Sequence, residues 1–302
     1  MAAAWFGRYS ATICLGNKNY SAWSMRAWLS LRWSGMEARE VVVPMRVADW
    51  DARVAPWSPT HRVPALHLQP TVLVDETSVA NDKVDGGAVV IHDSLAIAHT
   101  AFAAGLHHGD PLAKAGCATT TQAFAFHGGY APEHAGRGMA LACEMHSGFP
   151  VMREHMPFNI RRMQHPQPKQ VDIGLSLRQD LDRELQRLQR MWQDCRVATA
   201  VSARKQQAGD WHGATEGELP PFLLGAQPTL ADLMFVPVAT RFVAYDLLDQ
   251  CDDDTMVYFR GLLGPGAVET GLPDTSGGVL GVAEFMEAAL LEEWTIPDFE
   301  GH

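Results

Sequence analysis

The segment GNKNYSAWSMRAWLSL, residues 16–31, gathers three hydroxyls, Tyr20, Ser21 and Ser24, where a polar turn becomes a helical pattern, with Arg26 close behind. A helix N-terminus leaves backbone N–H groups without partners and favours anions. Hydroxyls there can donate to an anion, or simply cap the helix, as serine commonly does. Two further stretches carry related chemistry. "IHDSLAIA" places Asp93 and Ser94 at a second helix start, an anion-ready terminus with an acid beside it. "RVPAL" puts Pro64 at the opening of a strand, where it cannot serve a central ladder position. A cis Val63–Pro64 bond would turn the chain there. Together the three features read as a small zwitterionic binding site: one end for a carboxylate, one for an ammonium, and a third for an anion at Ser21.

The elements that must position these groups follow from periodicity. "SATICLG" (10–16) reads as a strand, and Trp23, Ala27, Trp28, Leu31 and Ser34 recur at helical spacing until Gly35. "AREVVVPM" reads as a second strand, which completes a βαβ unit. Residues 49–62 read as irregular, 64–68 and 88–92 as further strands, and 94–105 as a helix. The polar stretch 69–87 reads as an enlarged hairpin loop. Beyond residue 106, helices are expected at 137–156, 172–196, 229–248 and 281–294. Stretches 105–136, 198–221 and 264–280, rich in Gly, Pro and small polar residues, read as loops or insertions. "TLAD" (229–232) is a capping-box variant. The expected fold is an α/β βαβ–ββα domain over 9–106, followed by an all-α domain over 113–300.

Composition limits the function classes. With 302 residues, 47% of them hydrophobic, the chain has enough material for two cores. A formal net charge of −11 repels phosphate backbones and anionic lipid, so no nucleic acid and no membrane are expected as partners. Five cysteines, an odd number without a CxxC, fit a reducing compartment better than a disulfide framework. MAAAWFGRYS lacks the apolar core of a secretory signal, so a cytoplasmic location is expected. The adjacent His107-His108 pair and the acidic 209–218 stretch lack metal-ligand spacing, and no metal is expected.

The N-terminal third resembles the thioredoxin-like domain of cytosolic glutathione transferases. Ser21 to Arg26, S-x-x-x-x-R, resembles the serine motif of the zeta and tau classes. "SPTHRVPAL" and "HDSLAIA" resemble their Val-Pro segment and Glu/Gln-Ser helix start, and "PPFLLGAQPTLADLMFVPVATRF" the buried helix of their second domain. The resemblance implies glutathione as co-substrate, a small apolar electrophile as second substrate, a detoxification role and a homodimer. It implies that Ser21 donates to the glutathione sulfur, with the adjacent Tyr20 as the competing donor. It further implies that the Val63 backbone before a cis Pro64 pairs with the cysteinyl part, Ser94 holds the γ-glutamyl carboxylate and Asp93 meets the ammonium. His61 stands where several classes carry a lysine for the glycyl carboxylate. Ala22 and Trp23 stand where the zeta motif has Ser-Cys. A zeta-like glutathione-dependent isomerase and a non-catalytic binding protein are the two alternatives.

Two further readings concern the helical part. Met145, Phe149, Met152 and Met156 recur at helical spacing and could line an adaptable apolar pocket for the second substrate, or pack as ordinary core. His146 lies beside that stripe and reads as a satisfied helix histidine, and Arg26 as an ion-pair or helix-surface residue.

Overall fold

The computed structural model describes residues 9–70, 87–106, 132–166, 174–206 and 217–296. Four strands, β1 (Tyr9–Gly16), β2 (Arg39–Val43), β3 (Ala65–Pro70) and β4 (Val89–His92), form one mixed sheet in the order β2-β1-β3-β4. β1 runs parallel to β2 and antiparallel to β3, and β3 runs antiparallel to β4. Cys14 and Leu15 are fully buried at the sheet centre. The parallel β1–β2 pair requires a crossover, and α1 (Ala22–Ser34) supplies it. Gly35 ends α1 in the left-handed region, φ 73°, with its N–H returned to the Arg32 and Leu31 carbonyls. α3 (Ser94–Leu106) packs against α1. The segment expected to be irregular contains one short helix, α2 (Trp50–Val54), steadied by an Asp49–Arg53 ion pair one turn apart.

The remainder is largely helical: α4 (Pro132–Ser147), α5 (Pro150–His155), α6 (Leu175–Gln206), α7 (Leu230–Ala244), α8 (Asp253–Leu263), α9 (Pro265–Thr270) and α10 (Val282–Leu290). The helix expected over 137–156 is broken. Phe149 takes φ 60° before Pro150, a residue that disfavours the helical conformation of its predecessor and cannot donate. α6 continues ten residues past the expected end, through the good helix formers of 197–206. α8 and α9 occupy a stretch where no helix was expected; Asp252 caps α8 by accepting the Thr255 N–H at 2.8 Å. The 71–86 hairpin loop, the 107–131 stretch with His107-His108 and the junction near 113, residues 209–216 and the end near 300 lie outside the described residues. No described helix is long and apolar enough to cross a membrane.

α7 is buried along its whole length and packs against α1, α4 and α8. Its Phe235 and Phe242 meet Trp192 of α6 edge-on at 5.8 and 5.6 Å, and Phe259 of α8 completes that cluster. The chain after α10 returns across the β1–α1 turn. There the Glu292 carboxylate accepts the Lys18 and Asn19 N–H groups at 2.7 and 3.1 Å. The Ile160 and Arg161 N–H groups donate to the Asn19 carbonyl and Oδ1 from the other side, at 3.1 and 2.9 Å. Glu292→Ala strips the charged acceptor from two adjacent amides and is expected to lower stability by about 1–2 kcal/mol, read as a shifted denaturation midpoint.

Candidate functional site

A cleft of about 590 Å³ opens between the sheet and the end of α4. Thr60, Arg62, Val63 and Pro64 of the segment entering β3 line one wall. His92, Asp93 and Ser94 at the β4–α3 junction line the next, and Trp23 of α1 and His146 of α4 close it. The Val63–Pro64 peptide is cis. The end of β1 lies directly behind it: a Cβ on Gly16 would sit 3.1 Å from Val63 Cγ2 and 2.5 Å from Met45 Sδ, so a larger residue there would have to displace the Met45 side chain.

Four of the sequence-predicted site residues, Val63, Pro64, Asp93 and Ser94, therefore meet in one cleft. Asp93, at φ 88°, turns the chain from β4 into α3, and its Oδ1 accepts the Leu95 and Ala96 N–H groups at 2.8 and 3.3 Å. Its Oδ2 lies 2.9 Å from His146 Nε2. Ser94, the first residue of α3, is 1% exposed, yet its Oγ has no hydrogen-bond partner among the described residues. A buried hydroxyl without a partner is rare and costs free energy. Here it sits at a helix N-terminus on the cleft wall, where an anionic group could satisfy it.

The other three candidates lie elsewhere. Ser21 is 3% exposed and caps α1: its Oγ accepts the Ser24 N–H at 3.2 Å and donates to Ser24 Oγ at 2.8 Å. Ser24 Oγ in turn accepts the Gly16 N–H at 2.9 Å, which places the serine pair behind the β1 end and next to the Val63 turn. Tyr20 is buried on the far side, where its hydroxyl accepts the Ile296 N–H at 3.2 Å. Neither Tyr20 nor Ser21 lines the cleft. His61, at φ 54°, points its Nδ1 to within 3.1 Å of Asp51 Oδ1, and its neighbour Arg62 lines the cleft instead.

Arg26 is not at the surface, and no ion pair to it occurs among the described residues. It is fully buried, donates through Nε to the Met234 carbonyl of α7 at 2.9 Å and stacks 4.8 Å from the Trp23 ring centre. Burial, and then the neighbouring Arg241 and Arg153 charges, hold its pKa well below the usual value. Arg153 lies 4.7 Å over Trp23 and donates to the Met145 and His146 carbonyls. Trp23 is thus pinned between helices and presents a fixed wall. Met145, Phe149, Met152 and Met156 are buried core residues that do not line the cleft.

Residues 20–101 match the family model described as glutathione S-transferase, N-terminal domain. The N-terminal part of the chain is similar to the N-terminal domain of glutathione S-transferases. Every N-terminal residue of the cleft falls inside the matched stretch, whereas His146 comes from the helical part outside it. Among solved structures, the nitrogen-regulation fragment of the yeast prion protein Ure2p is 15% identical, with a TM-score of 0.50 over 87% of this chain and 95% of that one. A variant of poplar glutathione transferase F1 is 11% identical, with a TM-score of 0.47 over 94% and 99% of the two chains. Maleylacetoacetate isomerase from Anaeromyxobacter dehalogenans 2CP-1, solved with glutathione bound, is 18% identical, with a TM-score of 0.40 over 86% and 95%. A search of curated proteins returns no match.

Trp23, Thr60, Arg62, His92 and His146 were not among the predicted site residues. Thr60 and Arg62 flank His61 in one motif, His92 precedes Asp93 in another, and Trp23 lies in the opening segment. His146 reaches the site through tertiary packing alone.

Proposed function

We propose that the cleft binds glutathione and that the protein activates its thiol for attack on a small apolar electrophile, forming a carbon–sulfur bond as the leaving group departs. The observation that carries this reading is the buried, unpartnered Ser94 hydroxyl at the α3 N-terminus, beside the cis Val63–Pro64 turn. In this reading Ser94 and the helix terminus hold the γ-glutamyl carboxylate, and Asp93 meets the adjacent ammonium. The Val63 backbone aligns the cysteinyl unit, and Arg62, rather than His61, meets the glycyl carboxylate. The superfamily resemblance extends the proposal to a cytoplasmic homodimer.

Ser21 is the proposed thiol activator, and energetics bound what it can do. Lowering a thiol pKa by two units requires about 2.7 kcal/mol. A hydrogen bond to a charged sulfur contributes about 1.5–3 kcal/mol and a helix terminus about 0.3–1. Turning the Ser21 hydroxyl away from Ser24 Oγ forfeits about 0.5–1.5 kcal/mol. The net ranges from about zero to two and a half units of thiol activation and centres near one and a half. That commitment of Ser21 to Ser24 also favours a second reading, a glutathione-binding protein without catalysis.

Titrating the bound thiol by its ultraviolet absorbance separates the two. Wild type is expected to titrate about one to two units below free glutathione, and Ser21→Ala like the free thiol. Tyr20→Phe is expected to titrate like wild type while losing about 1 kcal/mol of stability with its Ile296 contact. A wild-type complex that titrates like free glutathione leaves binding intact and removes the transferase reading.

A further inference from the structure

The cleft holds its anion donor and its acid in different states. Ser94 Oγ has no partner among the described residues. The Asp93 carboxylate is engaged at both oxygens: Oδ1 by its own helix amides, Oδ2 by His146 Nε2 at 2.9 Å. A ligand ending in an α-amino acid brings a carboxylate and an ammonium on one carbon. It finds a donor waiting at Ser94 and, at Asp93, an acceptor already in use.

His146 is placed for this contact. It lies in the last turn of α4, and its ring meets Trp23 edge-on at 5.2 Å. Arg153, itself over Trp23, donates to the His146 carbonyl at 3.1 Å. The ring Nδ1 is buried without a partner among the described residues, so a proton there would be an unpaired buried donor. The arrangement therefore fits the tautomer that carries its proton on Nε2 and donates it to Asp93.

We propose that His146 is a specificity-determining residue, a built-in competitor that occupies Asp93 Oδ2 until a ligand ammonium displaces it. This rests on the glutathione reading of the cleft. Displacement is feasible because the pair is only partly buried, with side-chain exposures of 26% and 43%, and such pairs contribute little. An ammonium is also the stronger donor to a carboxylate. The competitor weakens the site's preference for a free amino group without abolishing it. It also makes site occupancy act on the contact between the sheet and α4, because the imidazole must leave the carboxylate when the amine arrives.

The test compares two ligands on four proteins by calorimetry. The ligands are glutathione and its des-amino analogue, in which a glutaryl group replaces γ-glutamyl. The proteins are wild type, His146→Ala, His146→Phe and His146→Gln. Ala and Phe remove the donor, and Phe keeps a ring against Trp23 should Ala disturb the packing. Both are expected to bind glutathione about two- to fivefold more tightly than wild type and the des-amino analogue with unchanged affinity. Gln keeps an N–H donor and is expected to stay near wild type. Weaker glutathione binding by the Ala and Phe variants would mean that His146 positions Asp93 rather than competes for it. Equal shifts for both ligands would mean a general packing effect. Either result overturns the proposal. Wild type binding neither ligand would overturn the glutathione reading itself, and the competitor with it.

Discussion

Asp232→Ala is expected to destabilise the protein by about 4 kcal/mol, the largest single-residue effect proposed for this chain. The Asp232 carboxylate is fully buried and serves four donors. Oδ2 accepts the Thr229 N–H and hydroxyl, both at 2.7 Å. Oδ1 accepts the Leu223 N–H at 3.0 Å and the Tyr258 hydroxyl at 3.1 Å. Burial pushes the carboxyl above its usual value, while these four hydrogen bonds pull it down. Alanine leaves the donors facing one another across a small cavity, at about 1–3 kcal/mol for each that finds no new partner. Partial relaxation and entering water bring the expected sum to about 4 kcal/mol. Asparagine keeps the shape but turns an NH2 toward donors, so about half that loss is expected. Urea denaturation checks both, with the midpoint falling at unchanged slope. The effect reaches the cleft because Asp232 anchors the first turn of α7, and the Met234 carbonyl at the start of the next turn holds Arg26 of α1. A loss below about 1 kcal/mol for the alanine variant would show that this network is not what seats α7.

The sheet, its order of elements and the cis turn were legible in the sequence because each rests on near-neighbour patterns. Short apolar runs, the Gly35 stop and the Val63-Pro64 and Asp93-Ser94 pairs all act within a few residues. The direction of individual side chains was not legible, because distant residues decide it. Tyr20 is drawn away from the cleft by the Ile296 amide, and Lys18 and Asn19 are fixed by Glu292. His61 and Arg62 are neighbours, and the left-handed turn at His61 with Asp51 beside it decides which of them reaches the cleft. His146 was read as an ordinary helix histidine because nothing near it in sequence announces Asp93. The missed α8 is a different case. Its signals were present, three consecutive aspartates from Asp252 at the start and Arg260 in the last turn, followed by Gly264-Pro265. In sequence, the stretch from 264 to 280 reads as a loop, and 249–263 carries no assigned element.

Ser94→Ala is expected to leave stability unchanged within about 0.5 kcal/mol while weakening glutathione binding about 10- to 100-fold. The two halves of this prediction come from one observation. A hydroxyl that is 1% exposed and has no partner among the described residues gives the fold little to lose. Replacing such a group by a methyl is neutral or mildly favourable, because no partner is left orphaned. The same hydroxyl would make a charge-assisted bond to a bound carboxylate, worth about 1.5–3 kcal/mol, which converts to the stated loss of affinity. The contrast with Asp232 is the point of the experiment: one buried polar group is saturated by the fold and matters for stability, the other is left open and matters for the ligand. Calorimetric binding with thermal denaturation on the same variant reads both quantities. A variant that loses stability with its affinity would place Ser94 among the structural groups. Unchanged affinity at unchanged stability would move the ligand carboxylate away from α3 and leave Arg62 as its remaining cationic partner on the cleft wall.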